Sequence, residues 1–186
     1  MAYNPGAIVD DGGNLICLSE VSDSWALKTL TAGTNAINAG HISTSDFSQA
    51  TNKTEYKNEQ RKTVASSYEY SINTTGTLMQ TDKATIDFFA ESVKSKYFLQ
   101  YKYMGIKDGK HQEIFTLGQV TPQVKITTPG ASASMPYEHT GIYPTSTVTF
   151  NSTNLAAIET ALSVTIYATG ASITASQGFV VKETAV

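Results

Sequence analysis

The chain has little of what catalysis, secretion or membrane insertion would need. It holds one cysteine, three histidines and few charges, 16% of 186 residues. The single Cys17 excludes an intramolecular disulfide, and without a local motif around it reads as a small core side chain rather than a nucleophile. His41, His111 and His139 are far apart, with no second ligand at metal spacing. His111-Gln112-Glu113 puts two donors on one strand face beside a turn and reads as exposed hairpin surface. Asp10-Asp11-Gly12-Gly13-Asn14 lacks the alternating oxygen ligands and distal Glu of a calcium loop and reads as a turn. There is no glycine-rich phosphate loop and no Gly-x-Ser-x-Gly elbow. No carboxylate pair sits in an apolar context that would raise one pKa. These absences argue against an enzyme and predict no cofactor and no metal.

Other absences bear on location and partners. The amino terminus lacks a basic segment followed by an apolar stretch, which predicts no signal peptide. No apolar run is long enough for a bilayer, so no membrane partner is expected. The expectation is a soluble protein made in a cytoplasm. Sequons at Asn52, Asn73 and Asn151 are what a Ser- and Thr-rich chain produces by chance. A net charge of −3 argues against nucleic-acid binding by counterion release. It is compatible with a protein that lets nucleic acid pass without retaining it.

What the chain does have is Ser and Thr, together about a quarter of it, and ten tyrosines. That composition reads as β-rich, and the length fits a single domain over residues 1–186. The most unusual stretch runs from Lys53 to Ile72. Its odd positions begin Lys53, Glu55, Lys57, Glu59 and Arg61, and its even positions begin Thr54, Tyr56, Asn58, Gln60 and Lys62. Alternation along a strand puts charges of both signs on one face, while the other face turns apolar from Val64 onward. Fully extended, the run would span roughly 65 Å. It therefore folds as a hairpin or projects from the body, with a long loop or hairpin placed around residues 43–66. A strand polar on both faces has no core of its own and calls for a neighbouring chain.

Around this run the pattern predicts an arm at residues 1–13, a short strand at Leu15-Ile16-Cys17-Leu18, and a second short segment with Trp25 and Leu27. Residues 31–49 read as loop with one strand. The clearest helix covers 81–96, capped by Thr81 or Asp82, with Ile86, Phe89, Ala90 and Val93 on one stripe. A hairpin follows, turning at Lys107-Asp108-Gly109-Lys110. Pro122 and Pro129-Gly130 punctuate Val124-Lys125-Ile126-Thr127. Strands are expected at 135–142 and 146–150, then a helix capped by Asn154 with Leu155, Ile158 and Leu162. Val164, Ile166 and Ala168 alternate as a strand, and Phe179-Val180-Val181 closes the sheet before a frayed tail. The tyrosines at 68–70 and 97–103 alternate as on half-buried strands. The fold class expected is α+β, mainly β: an antiparallel sandwich or partly closed barrel, one main flanking helix and a long projecting hairpin or loop.

The order of elements carries a resemblance. A charged run ending in Arg61-Lys62-Thr63 passes into Tyr68-Glu69-Tyr70-Ser71-Ile72-Asn73-Thr74-Thr75-Gly76-Thr77-Leu78. The helix beginning at Thr81-Asp82, the hairpin, Gly118-Gln119-Val120-Thr121 and Met135-Pro136-Tyr137-Glu138-His139-Thr140-Gly141 follow. Over residues 50–150 this resembles the major tail tube proteins of long-tailed bacteriophages, whose architecture contractile tails and type VI secretion tubes share. The helix at 153–162 departs from the family pattern. The resemblance implies a virion tail protein, made in the host cytoplasm, whose copies form six-membered rings stacked into a tube. Its partners would be itself, other tail proteins at the tube ends, and DNA passing through the lumen without specific binding. Lys53, Glu55, Lys57, Glu59, Arg61 and Lys62 are the candidate inter-subunit contacts. The alternative is a β-sandwich binding module of a virion, taking carbohydrate or a receptor.

Overall fold

The computed structural model describes residues 14–78, 82–121, 123 and 135–186. The expected arm at 1–13, the Thr81 cap and the stretch from Val124 to Gly130 lie outside them. Strands β1 (Leu15–Val21), β2 (Ala36–Lys57), β3 (Thr63–Leu78), β4 (Tyr97–Lys107), β5 (Lys110–Val120) and β6 (Met135–Gly141) form an antiparallel ring. The order around it is β1-β2-β3-β6-β5-β4 and back to β1. Strands β7 (Val148–Phe150) and β8 (Ala171–Ile173) make a separate pair, and β9 (Phe179–Ala185) lies along β5. The fold is thus mainly β with antiparallel pairing, as the composition suggested.

The short run Leu15-Ile16-Cys17-Leu18 is apolar at every position because β1 is covered on both faces. Ile16 and Leu18 turn into the barrel with Ile37, Phe98, Met135 and Tyr137. Leu15 and Cys17 turn outward with Leu99, Tyr101 and Phe115, where helix α2 (Ser152–Leu162) covers them through Leu155, Ile158 and Leu162. Burial pushes the Cys17 thiol well above its ordinary range, which fits a core residue and not a nucleophile. A polar chain crosses the interior: Tyr137 Oη donates to Gln100 Oε1 at 2.5 Å, and Gln100 Nε2 donates to Thr74 Oγ1 at 2.9 Å. Pairing these groups with one another avoids the cost of burying them unsatisfied.

Several expectations are corrected. The helix over 81–96 is short: α1 spans Lys83–Asp87, capped by Asp82, and a π-helical turn over Phe88–Ser92 continues it. The wider turn shifts the buried face, and adjacent Phe88 and Phe89 both enter the inner core. The longer helix is α2, whose cap is Asn151; Asn154 sits at the third helical position and completes a reciprocal capping box. Strand β2 starts at Ala36, so the expected loop over 31–49 is mostly strand. The tail does not fray early, because β9 pairs with β5 as far as Ala185.

Residues 164–168 form no strand. Their backbone donors go to carboxylates instead: Ile166 N to Glu159 Oε1 at 2.7 Å and Tyr167 N to Glu113 Oε1 at 2.8 Å. Glu113 and His111 are therefore buried beneath this segment rather than exposed on a hairpin. The His111 ring stacks on Tyr167 at 3.4 Å. Burial pushes the Glu113 carboxyl upward, partly offset by the hydrogen bonds from Tyr167 and Tyr101, so one carboxylate does sit in an apolar context.

The barrel closes where β6 leaves β3 and meets β5, with Gly118 paired to Gly141. A Cβ on Gly118 would stand 2.1 Å from Thr140 O and 2.7 Å from His139 Cε1. Gly118→Ala is expected to destabilise by more than about 3 kcal/mol in denaturant titration, because backbone rather than a flexible side chain would have to move. A cost below about 1 kcal/mol would mean the strands separate easily at this point.

His139 lies wholly inside the barrel, and burial pushes its pKa down to about 4. The unfolded chain takes up a proton near its ordinary value of 6.5 while the folded chain does not. Stability is therefore lost as pH falls from 6.5 towards 4. The loss expected from this group is on the order of 3 kcal/mol. The raised Glu113 works in the opposite sense. Its contribution is present below its unfolded pKa and lost as pH rises through its folded one. Unfolding measured from pH 7 to pH 4 on the parent and on His139→Leu isolates the histidine, and the variant is expected to lack its slope.

Candidate assembly surface

β2 and β3 outrun their neighbours. The pairing of β1 with β2 stops at Leu15 opposite His41, and β6 leaves β3 at Gly141 opposite Ile72. Beyond those points residues 50–57 and 63–71 pair only with each other, a two-stranded ribbon roughly 30 Å long. The long polar run is thus a hairpin, turned at residues 58–62. Asn58 builds the turn: its N–H donates to Lys62 O, its carbonyl accepts from Arg61 N, and its Oδ1 accepts from Lys62 N, each at 2.9 Å. Arg61 takes the left-handed conformation at φ 59°.

The turn changes which residues share a face. Side chains directly opposite in an antiparallel pair point the same way. Lys53 faces Tyr68, Glu55 faces Ser66 and Thr51 faces Tyr70. The charged odd positions of β2 therefore join the tyrosine-bearing even positions of β3. The opposite face carries Ala50, Asn52, Thr54 and Tyr56 with Ser71, Glu69, Ser67 and Ala65. The expected apolar face is not buried over residues 65–70, which are all exposed, and Ile72 is the first fully buried residue after them. Tyr68 and Tyr70 are 53% and 55% exposed, and Tyr56 is 56% exposed.

The six candidate contacts separate into two groups. Lys53 and Lys57 flank Glu55, with Nζ–O distances of 2.5 and 4.0 Å, and Thr63 Oγ1 approaches it at 3.4 Å. The Lys53 hydrogen bond and charge hold the Glu55 carboxyl below its ordinary range. Glu59, Arg61 and Lys62 sit in the turn, and none of them forms an ion pair among the described residues. The root of the ribbon is clamped to the body. Phe47 packs edge-on against Phe179 with centroids 5.1 Å apart, Gln49 Nε2 donates to Tyr143 Oη at 2.9 Å, and Tyr70 meets Tyr143 at 6.1 Å.

No family model and no curated protein matches the chain. The reading of the ribbon therefore rests on its own chemistry. Among the described residues no group of three or more His, Cys, Asp or Glu is placed to hold a metal ion, and no helix is long and apolar enough to cross a membrane.

Sequence reasoning named the charges and passed over the tyrosines. A tyrosine half-exposed leaves roughly 100 Å² of ring open, which a partner would cover for roughly 2.5 kcal/mol. An exposed ion pair contributes at most about 1 kcal/mol. Tyr56, Tyr68 and Tyr70 thus hold more of the ribbon's unused binding energy than its charges do. The faces are reassigned by the register shift between Tyr56 and Lys57, beside the Asn58 turn, which the alternating run does not mark. Tyr56→Ser and Tyr68→Ser are expected to change the stability of unassembled protein by no more than about 0.5 kcal/mol in chemical denaturation. A larger loss would place these rings within the chain's own packing.

Proposed function

We propose that the chain is the structural subunit of a phage tail tube, whose copies assemble into six-membered rings stacked as a conduit for genome delivery. The observation that carries this reading is the ribbon: roughly 30 Å of paired strand, open on both edges and exposed on both faces. A two-stranded ribbon is marginal alone, so its length finds a use only when other chains cover it. The resemblance of residues 50–150 to tail tube proteins supplies the identity of those chains, which are further copies of the same subunit.

In this reading the tyrosine and charge face supplies contact area and register. The opposite face carries hydroxyls, an amide, the Tyr56 ring and Glu69 as its charged residue among those paired from 50 to 56; it suits the side turned to passing DNA, since it offers no cluster of cations to hold phosphates. The protein acts by assembly and passive conduction rather than catalysis, with tail proteins at the tube ends as further partners and the virion tail as its location. A second reading draws on the same exposed tyrosines: a monomeric β-barrel module that stacks sugars or docks a receptor.

Negative-stain imaging of concentrated protein separates the two. Rings or tubes are expected; a persistent monomer that binds glycans would favour the second reading. Glu55→Lys with Glu59→Lys is expected to abolish tube growth while the monomer keeps its unfolding midpoint. The first change turns a Lys53–Glu55–Lys57 cluster into three neighbouring cations, and the second leaves the turn with positive charges alone. Normal tubes from the double variant would remove the ribbon from the subunit contact.

A further inference from the structure

Lys102 lies on β4 with Ile16 and Ile114 as its cross-strand neighbours, and only 3% of its surface is exposed. Directly opposite residues share a face, so its stem runs into the barrel beside two isoleucines. A lysine is seldom buried without partners for its ammonium. Here Nζ donates to Ser45 Oγ. Burial pushes the amine's pKa down, and the nearby Asp46 carboxylate works against that.

Ser45 and Asp46 stand where the pairing of β2 with β3 is interrupted. Ser43 pairs with Thr77 and Asp46 with Thr75, which leaves Thr44 and Ser45 opposite Gly76 alone. Two residues against one is a β-bulge, which bends the strand and steepens its twist. Gly76 leaves room opposite it: a Cβ there would come within 2.9 Å of Ile42 Cδ1 and 3.3 Å of Ser43 O. The direction in which the ribbon leaves the barrel is set at this bulge.

We infer that Lys102 is a positioning residue: its ammonium, hydrogen-bonded to Ser45 beside the Asp46 carboxylate, fixes the bulge and thereby the angle of the ribbon. The alternative use of a buried charge, global stability, does not fit. Asp46 is exposed and Ser45 half-buried, so both stay solvated if the lysine is replaced. Exchanging a buried charge for an apolar side chain of similar length is often neutral or stabilising. Angle is another matter. A rotation of about 10° at the root moves the tip of a 30 Å ribbon by roughly 5 Å, the width of one strand spacing. If the ribbon is the assembly surface proposed above, a shift of that size displaces it from its seat on the next copy.

The test is made on unassembled full-length protein. Spin labels at Gln60→Cys in the turn and Thr160→Cys on the exposed face of α2 report the ribbon's angle, because Cys17 is buried and does not label. Lys102→Met is expected to leave the unfolding midpoint unchanged or raised. It is expected to shift or broaden the label distance by several ångströms. Amides 46–57 should exchange about tenfold faster, the factor that one lost hydrogen bond of ordinary net strength gives. Ser45→Ala with Asp46→Ala should reproduce the effect from the other side of the contact, and decides the matter if Lys102→Met does not fold. Unchanged distances and exchange in a folded variant overturn the inference. An altered ribbon in a protein that never forms tubes overturns only the assembly reading.

Discussion

At Gly118 and Gly141 two strands approach with no side chain between them, and the closure of the barrel depends on that approach. A Cβ on Gly141 would stand 2.7 Å from Ile72 Cβ, and one on Gly118 would collide with Thr140. With both positions bare, β6 can leave β3 and cross to β5, and six strands satisfy one another around the ring. Closure removes the unpaired edges through which sheets aggregate. Among the described strands of the seven-stranded sheet, open backbone then remains along the outer side of β9 and along the ribbon of β2 and β3. The ribbon stands out because the rest of the sheet has used its edges.

The ribbon's own energetics follow from that isolation. Its strands gain pairing from each other but little burial, and such pairing balances poorly against the entropy of ordering them. Order is imposed from the root, where Lys102 holds the bulge, Phe47 rests on Phe179, and Tyr143 meets Gln49 and Tyr70. Toward the tip, Lys53 and Lys57 already neutralise Glu55 within the chain. In the assembly proposed above, a neighbour's charges would compete with those internal pairs, so ion pairs would select register and sign while tyrosine rings supply area.

Much of the fold could be read from the sequence where local signals agree. The turn at Lys107–Lys110, the apolar β1, the strand beginning at Met135 and the closing strand at Phe179 all lie where alternation and turn residues place them. The failures share a cause, which is tertiary contact overriding a local pattern. Val164, Ile166 and Ala168 alternate like a strand, but carboxylates of Glu159 and Glu113 take the backbone donors of Ile166 and Tyr167. His111 and Glu113 sit beside a turn and look exposed until residues 164–168 cover them. The helix after Asp82 breaks its own period because two adjacent phenylalanines are drawn into one core.

The candidate site shows the same limit more sharply. Alternation marked residues 53–57 as extended and polar on both faces, yet it gave the half from Val64 onward an apolar face that residues 65–70 do not bury, and counting parity through the turn assigned the two faces wrongly. The five-residue turn pairs Lys57 with Thr63, odd with odd, and the register shift between Tyr56 and Lys57 then carries the odd positions of β2 onto the even positions of β3. Charge and aromatic surface, which the linear pattern keeps on separate faces, are thereby brought together, and the other face is left nearly neutral. A ribbon with one adhesive face and one face that offers phosphate nothing is chemically polarised, a property neither strand has alone. That polarity arises from the register shift beside the turn, its direction in space from the bulge at Ser45, and its isolation from the closure at Gly118.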